Sequence, residues 1–173
     1  MKRYLVTICI VVFAISFWNC EKDDICAEGT VTTPRLVIEF YDATSPTTLK
    51  NVTNLRVEES GTGIGVVFNT SLATDNEARY LTNDNTIEIP LKTFADQSQF
   101  DFKLNYGDTS NEVNEVITID YSREDIYISR ACGYKTNFTL SNFNIDTNNW
   151  ISSATIEQAL ITNENEVHVK IYF

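Results

Sequence analysis

The residues best equipped for chemistry in this 173-residue chain are four cysteines and a single histidine. Cys20 has the most telling surroundings. Lys2 and Arg3 precede an uncharged run from Tyr4 to Trp18, and Glu21-Lys22-Asp23-Asp24 follows it directly. A basic start, an apolar stretch and a cysteine at the cut point describe a lipoprotein signal. In such a signal the thiol takes a lipid and the cysteine becomes the first mature residue. Trp18 and Asn19 depart from the small residues preferred there. An uncleaved anchor is a second reading, but it needs ~20 apolar residues to span a bilayer, more than this run supplies. A secretory signal cut elsewhere is a third, and no A-x-A-like site lies nearby. Acylation of Cys20 is the expectation, with residues 1–19 as the signal peptide and a membrane reached through the lipid.

Cys9 leaves with that signal. Cys26 and Cys132 remain, an even pair in an exported chain, which reads as one disulfide. Cys132 shares parity with Ile126 and Ile128, so its sulfur is expected to face the core. Two cysteines and the lone His168 are too few ligands for a metal centre, and no metal or cofactor is expected. Six steps separate Cys20 from Cys26. At ~3.3–3.6 Å per residue such a tether reaches about 20 Å, which keeps the folded domain near its membrane.

The remaining chemistry is sparse. Parity sets His168 opposite Val167, Val169 and Ile171, on the outer face of a last strand and without a partner for acid-base work. No nucleophile-elbow sequence supports Ser/His/Asp catalysis. Carboxylates abound, but none are paired at a recognisable spacing, and a small sandwich seldom leaves a glycosidase cleft. No enzyme is expected. Asp75-Asn76-Glu77 and Asn83-Asp84-Asn85 could hold calcium but lack the order of an EF-hand loop; Asn and Asp favour turns for local reasons. The sequons at Asn69 and Asn137 are read as chance. Trp150, Tyr121, Tyr127, Tyr134 and Tyr172 are candidates for a surface that stacks on sugars or anchors a protein. They would serve equally in a core or in cross-strand pairs.

The elements that must position these residues are strands. Without residues 1–19 the chain keeps 154 residues, one domain in size, with 11 basic against 24 acidic side chains and a net charge of −13. That charge repels phosphate backbones, so no nucleic acid is expected as a partner. Period-two alternation dominates: Leu36, Ile38 and Phe40; Ile87, Ile89 and Leu91; Phe100, Phe102 and Leu104; Ile117, Ile119 and Tyr121; Val167, Val169 and Ile171. Further runs lie near 53–59, 64–69, 137–143 and 154–162. Ser60-Gly61-Thr62-Gly63 and Tyr106-Gly107-Asp108 punctuate them. Thr162-Asn163-Glu164-Asn165 reads as the loop of a C-terminal hairpin. Apolar parity shifts around Ser141-Asn142, which suggests a bulge. A helix is expected only as a short turn near 73–78. The predicted fold is all-β, an antiparallel β-sandwich of immunoglobulin-like or related Greek-key type. Residues 20–33 form the tether and 34–173 a single domain.

Two resemblances add to this reading. Lys22-Asp23-Asp24, just past the lipid site, resembles the Lys-Asp-Asp type of export signal that sends Bacteroidota lipoproteins to the cell surface; a solvated linker at the periplasmic face is the alternative. Cys26-Ala27-Glu28-Gly29 with Thr33-Pro34-Arg35-Leu36, then Ile128 to Lys135 with its Cys132-Gly133-Tyr134-Lys135, then His168-Val169-Lys170-Ile171-Tyr172-Phe173 together resemble a small family of Bacteroidota lipoproteins of unknown function. The resemblance implies no catalytic residues. It implies outer-membrane β-barrel proteins as neighbours, and an accessory role beside them. A glycan- or ligand-binding module of a nutrient-uptake system is the alternative.

Overall fold

A computed structural model describes residues 25–27, 29–30 and 32–173. Cys20, Lys22, Asp23 and Asp24, and the signal before them, lie outside the described residues. The chain divides into a larger unit, Val31–Ile126 with Lys135–Phe173, and a small one, Met1–Thr30 with Tyr127–Tyr134.

The fold is an all-β sandwich. Its strands are β1 (Leu36–Asp42), β2 (Ser45–Leu49), β3 (Leu55–Glu59), β4 (Ile64–Gly65), β5 (Leu81–Thr82), β6 (Thr86–Ile89), β7 (Gln97–Leu104), β8 (Val113–Ser129), β9 (Gly133–Ile145), β10 (Ser153–Ile156), β11 (Leu160–Ile161) and β12 (Val169–Tyr172). One sheet runs β10-β12-β1-β2, with β6 also on β1; the other runs β11-β9-β8-β7-β3-β4, with β5 on β3. Alternation builds the core. Leu36, Ile38, Phe40, Ile87, Ile89, Val169 and Ile171 of the first sheet are buried, as are Leu55, Val57, Phe100, Phe102, Ile117, Ile119, Phe138 and Leu140 of the second. Each such side chain contributes roughly 1.5–3 kcal/mol on leaving water.

Three local expectations change. β12 is not half of a hairpin with β11. β11 pairs with β9 in the second sheet, Ile161 opposite Phe138, whereas β12 lies parallel to β1 in the first, Ile38 opposite Val169. Residues 162–165 therefore belong to a connection between sheets, and its direction of entry makes one pair parallel among antiparallel ones. His168 is not exposed but 1% accessible. It precedes β12 by one residue, where strand parity has not begun. Cys132 is half-buried in the turn between β8 and β9, so parity with Ile126 and Ile128 does not carry to it. The short helical turn is a 3-10 turn at Glu77–Tyr80, capped by the Asn76 side chain, which accepts from the Ala78 N–H. The parity shift in β9 is present: Ser141 and Asn142 are exposed in succession, after Leu140 and before half-buried Phe143.

Candidate functional site

Most of the chemistry-bearing side chains are consumed by the fold. Trp150 packs on Phe40 and edge-on to Phe173, with centroids at 6.3 and 5.2 Å, and its indole N–H donates to the Phe102 carbonyl at 3.1 Å. Tyr121 meets Phe138 edge-on at 5.3 Å, and its hydroxyl lies 2.6 Å from Ser98 Oγ. Tyr172 pairs with Tyr41 at 5.8 Å. His168 accepts the Val37 N–H on Nδ1 at 3.0 Å. Burial holds its imidazole below the ordinary value, against the raising pull of Glu166 and Glu164. It is the neutral tautomer with the proton on Nε2, and that N–H has no partner among the described residues.

Three buried charges went unrecognised in the sequence. Arg56 pairs with Glu58 and, at 2.5 Å, with Glu77; Lys103 reaches Glu58 at 2.5 Å. The Arg56 guanidinium also lies over the rings of Tyr106 and Tyr80, at 4.8 and 5.4 Å. Burial alone would push Glu58 up, but the bonds from Lys103 and Arg56 outweigh it and hold it below the usual carboxylate range. The opposite charges of Arg56 and Glu58 two apart in β3 were the available signal. Glu115 is fully buried and accepts from the Thr147 hydroxyl and from the N–H groups of Asn149, Trp150 and Ile151. All these groups are engaged in ion pairs or hydrogen bonds within the fold.

The loops weighed for calcium are likewise engaged. Asn83 Oδ1 accepts the Asn54 N–H, the Asp84 N–H donates to Thr82 Oγ1, and Asn85 Nδ2 donates to Asn51 Oδ1. Among the described residues no three His, Cys, Asp or Glu side chains gather as a metal site would require.

Two features remain open to partners. One is the small unit. Cys26 and Cys132 form a disulfide, with Cα atoms 4.9 Å apart across 106 positions of sequence. Gly133 supplies the positive φ, 71°, that the turn between β8 and β9 requires, and Ser129 Oγ accepts the Cys132 N–H at 3.0 Å. On this tip Tyr127 and Tyr134 pack edge-on at 5.3 Å while remaining 57% and 69% exposed. Ile25 is 83% exposed one residue from the bridge. The other feature, within the larger unit, is a cavity of about 430 Å³ beside β4. Ile64, Val66, Leu91, Phe94 and Phe100 line it, with Arg35 at its border.

The described residues form an all-β sandwich in which a disulfide fastens the turn between β8 and β9. Residues 65–173 match a family of unknown function, DUF6452, and the chain belongs to it. The match takes in the Cys132-Gly133-Tyr134-Lys135 stretch and the C-terminal ending, and begins after Cys26. No curated protein and no solved structure matches the chain.

Proposed function

We propose that this chain is a non-enzymatic outer-membrane lipoprotein, anchored through acylated Cys20, that acts by contact as an accessory subunit of an outer-membrane β-barrel protein. Assembly or export of outer-membrane components is the role proposed for that complex. Lys22, Asp23 and Asp24 send it to the cell-surface face, and its source is a member of the Bacteroidota. The observation that carries this reading is the exposed Tyr127–Tyr134 pair on a tip fastened by Cys26–Cys132, with Cys26 six residues from the lipid site. A tether of about 20 Å restricts that tip to partners in the same membrane. Tyrosine is enriched at the energetic centres of protein interfaces, and two rings already packed together lose little freedom on docking.

Glycan binding, the alternative, draws less support. It needs aromatic faces lining a groove, whereas Trp150 and Tyr121 are committed to the core. The test is affinity purification of the tagged lipoprotein in mild detergent. The wild type should bring an outer-membrane β-barrel protein with it, and Tyr127→Ala with Tyr134→Ala should abolish that recovery while leaving the melting temperature unchanged. Recovery of a lone monomer that binds a specific glycan would overturn the proposal.

A further inference from the structure

The cavity beside β4 has a construction that packing does not require. Its apolar lining includes Phe94, 81% exposed, and Ile64, 66% exposed. Single exposed apolar residues are ordinary, but this pair borders a hollow, and the loop that carries Phe94 is fastened on both sides. The Lys92 N–H donates to Ser98 Oγ and to the Tyr121 hydroxyl, which returns a bond to the Lys92 carbonyl. Arg123 donates to the Thr93 carbonyl and pairs with Asp96 at 2.7 Å. Phe94 is thus carried on a braced loop and stays exposed. A volume of about 430 Å³ falls in the range of small-ligand sites, ~300–1,000 Å³.

Charge selects the occupant. In a chain with 24 acidic and 13 basic residues, two basic residues, Arg35 and Lys92, line this cavity beside one acidic residue, Glu59. Lys92 is answered by Glu59 at 2.7 Å. Arg35 is exposed, and among the described residues its guanidinium has no carboxylate within 4.0 Å. Glu164 takes the Arg35 main-chain N–H instead, at 2.8 Å. Arg35 stands where the apolar cavity meets a smaller recess of about 180 Å³ that Asp84 and Glu88 border. A planar guanidinium in this position matches a carboxylate bidentately.

We infer that the β4 cavity binds a small monocarboxylate with an apolar body, the body against Val66, Leu91, Phe94 and Phe100 and the carboxylate on Arg35. An extended peptide fits less well. β4 offers a ladder of only two residues, and the next N–H, that of Val66, is already given to the Val57 carbonyl. The inference is independent of the docking tip.

The experiment uses the full chain in lipid nanodiscs, with empty nanodiscs as blank, and 4-phenylbutyrate as probe against its neutral counterpart 4-phenylbutanol, titrated calorimetrically. The acid should bind about tenfold or more tighter than the alcohol, the discrimination expected of a charge-assisted pair. Arg35→Gln should erase that preference while the affinity for the alcohol stays unchanged. Phe94→Ser should weaken both probes, with an unchanged melting temperature showing that the fold is intact. Equal binding of acid and alcohol, an Arg35→Gln variant that keeps the preference, or no binding of either probe would overturn the inference. So would an apolar peptide amidated at its C-terminus that displaces the acid.

Discussion

Replacing Glu115 should destabilise the sandwich more than any surface substitution. The carboxylate is 0% accessible and gathers four donors from residues 147–151. Thr147 and Asn149 lie at exposed positions and can turn to water, but the N–H groups of Trp150 and Ile151 are partly and fully buried. Glu115→Ala leaves those two donors unanswered at ~1–3 kcal/mol each, or about 4 kcal/mol together. For a chain of this length that corresponds to a fall of about 8–16 °C in melting temperature. Glu115→Gln keeps one acceptor oxygen and loses the charge, so it should fall about half as far. Thermal unfolding followed by tryptophan fluorescence suits the test, because Trp150 sits in the affected segment. The pH dependence provides a second reading. Burial pushes Glu115 up, but its four hydrogen bonds outweigh burial and hold it below the usual range. A depressed folded value means that the unfolded state takes up the proton first. The contribution is therefore complete above pH ~4.5 and lost as the pH falls through the folded value. The gap between wild type and Glu115→Ala should narrow on that descent. A Glu115→Ala protein melting within about 2 °C of wild type would refute the reasoning.

Three further outcomes are expected. His168 should titrate in the native protein below the ordinary imidazole value, seen by NMR titration of its ring protons. Its lowered folded value makes its contribution complete above pH ~6.5 and lost as the pH falls through the folded value, so a native His168 that titrates at or above the ordinary value contradicts the buried acceptor geometry. Opening the bridge with Cys26→Ser and Cys132→Ser should lower unfolding stability by up to about 4–5 kcal/mol in urea titration, given the sequence separation of 106 between the two cysteines; an unchanged urea midpoint would remove its stabilising role. Mass spectrometry of membrane-extracted protein should find acyl chains on Cys20, and Cys20→Ser should release the chain to the soluble fraction. An unmodified Cys20 ends the anchoring proposal.

Strand content was legible because a half-buried strand writes its two faces as alternation, as β6 does throughout and as β7 and β8 do over Phe100–Leu104 and Ile117–Tyr121. Legibility failed where a second layer covers the outer face. Arg56 and Glu58 look solvated in a linear reading, because it does not show the 3-10 turn that delivers Glu77 over them. His168 failed for a related reason: a rule that holds inside β12 was extended one residue before its start. The route between β11 and β12 was illegible as well, since a polar loop of the same composition can close a hairpin or cross between sheets. The candidate surfaces were half visible. Tyr127 and Tyr134 were named as interface candidates along with Trp150 and Tyr121, but only packing separates the rings left outside from those taken in. The β4 cavity left no trace, because its wall is assembled from residues up to 65 positions apart, Arg35 to Phe100.

The parallel pairing of β1 with β12 bears on how the chain acquires its fold. A polypeptide that appears amino end first, from a ribosome or through a translocation pore, presents β1 long before Val169 exists to pair with Ile38. Until β12 arrives, one edge of β1 lacks its neighbour. That strand carries Leu36, Ile38 and Phe40, so the waiting interval exposes an apolar template to any other extended chain nearby. Separation along the chain also slows the closing step, since loop-closure entropy precedes the reward of contact. Completion of the first sheet therefore awaits β12, and a chain without residues 169–173 should begin to fold and not finish.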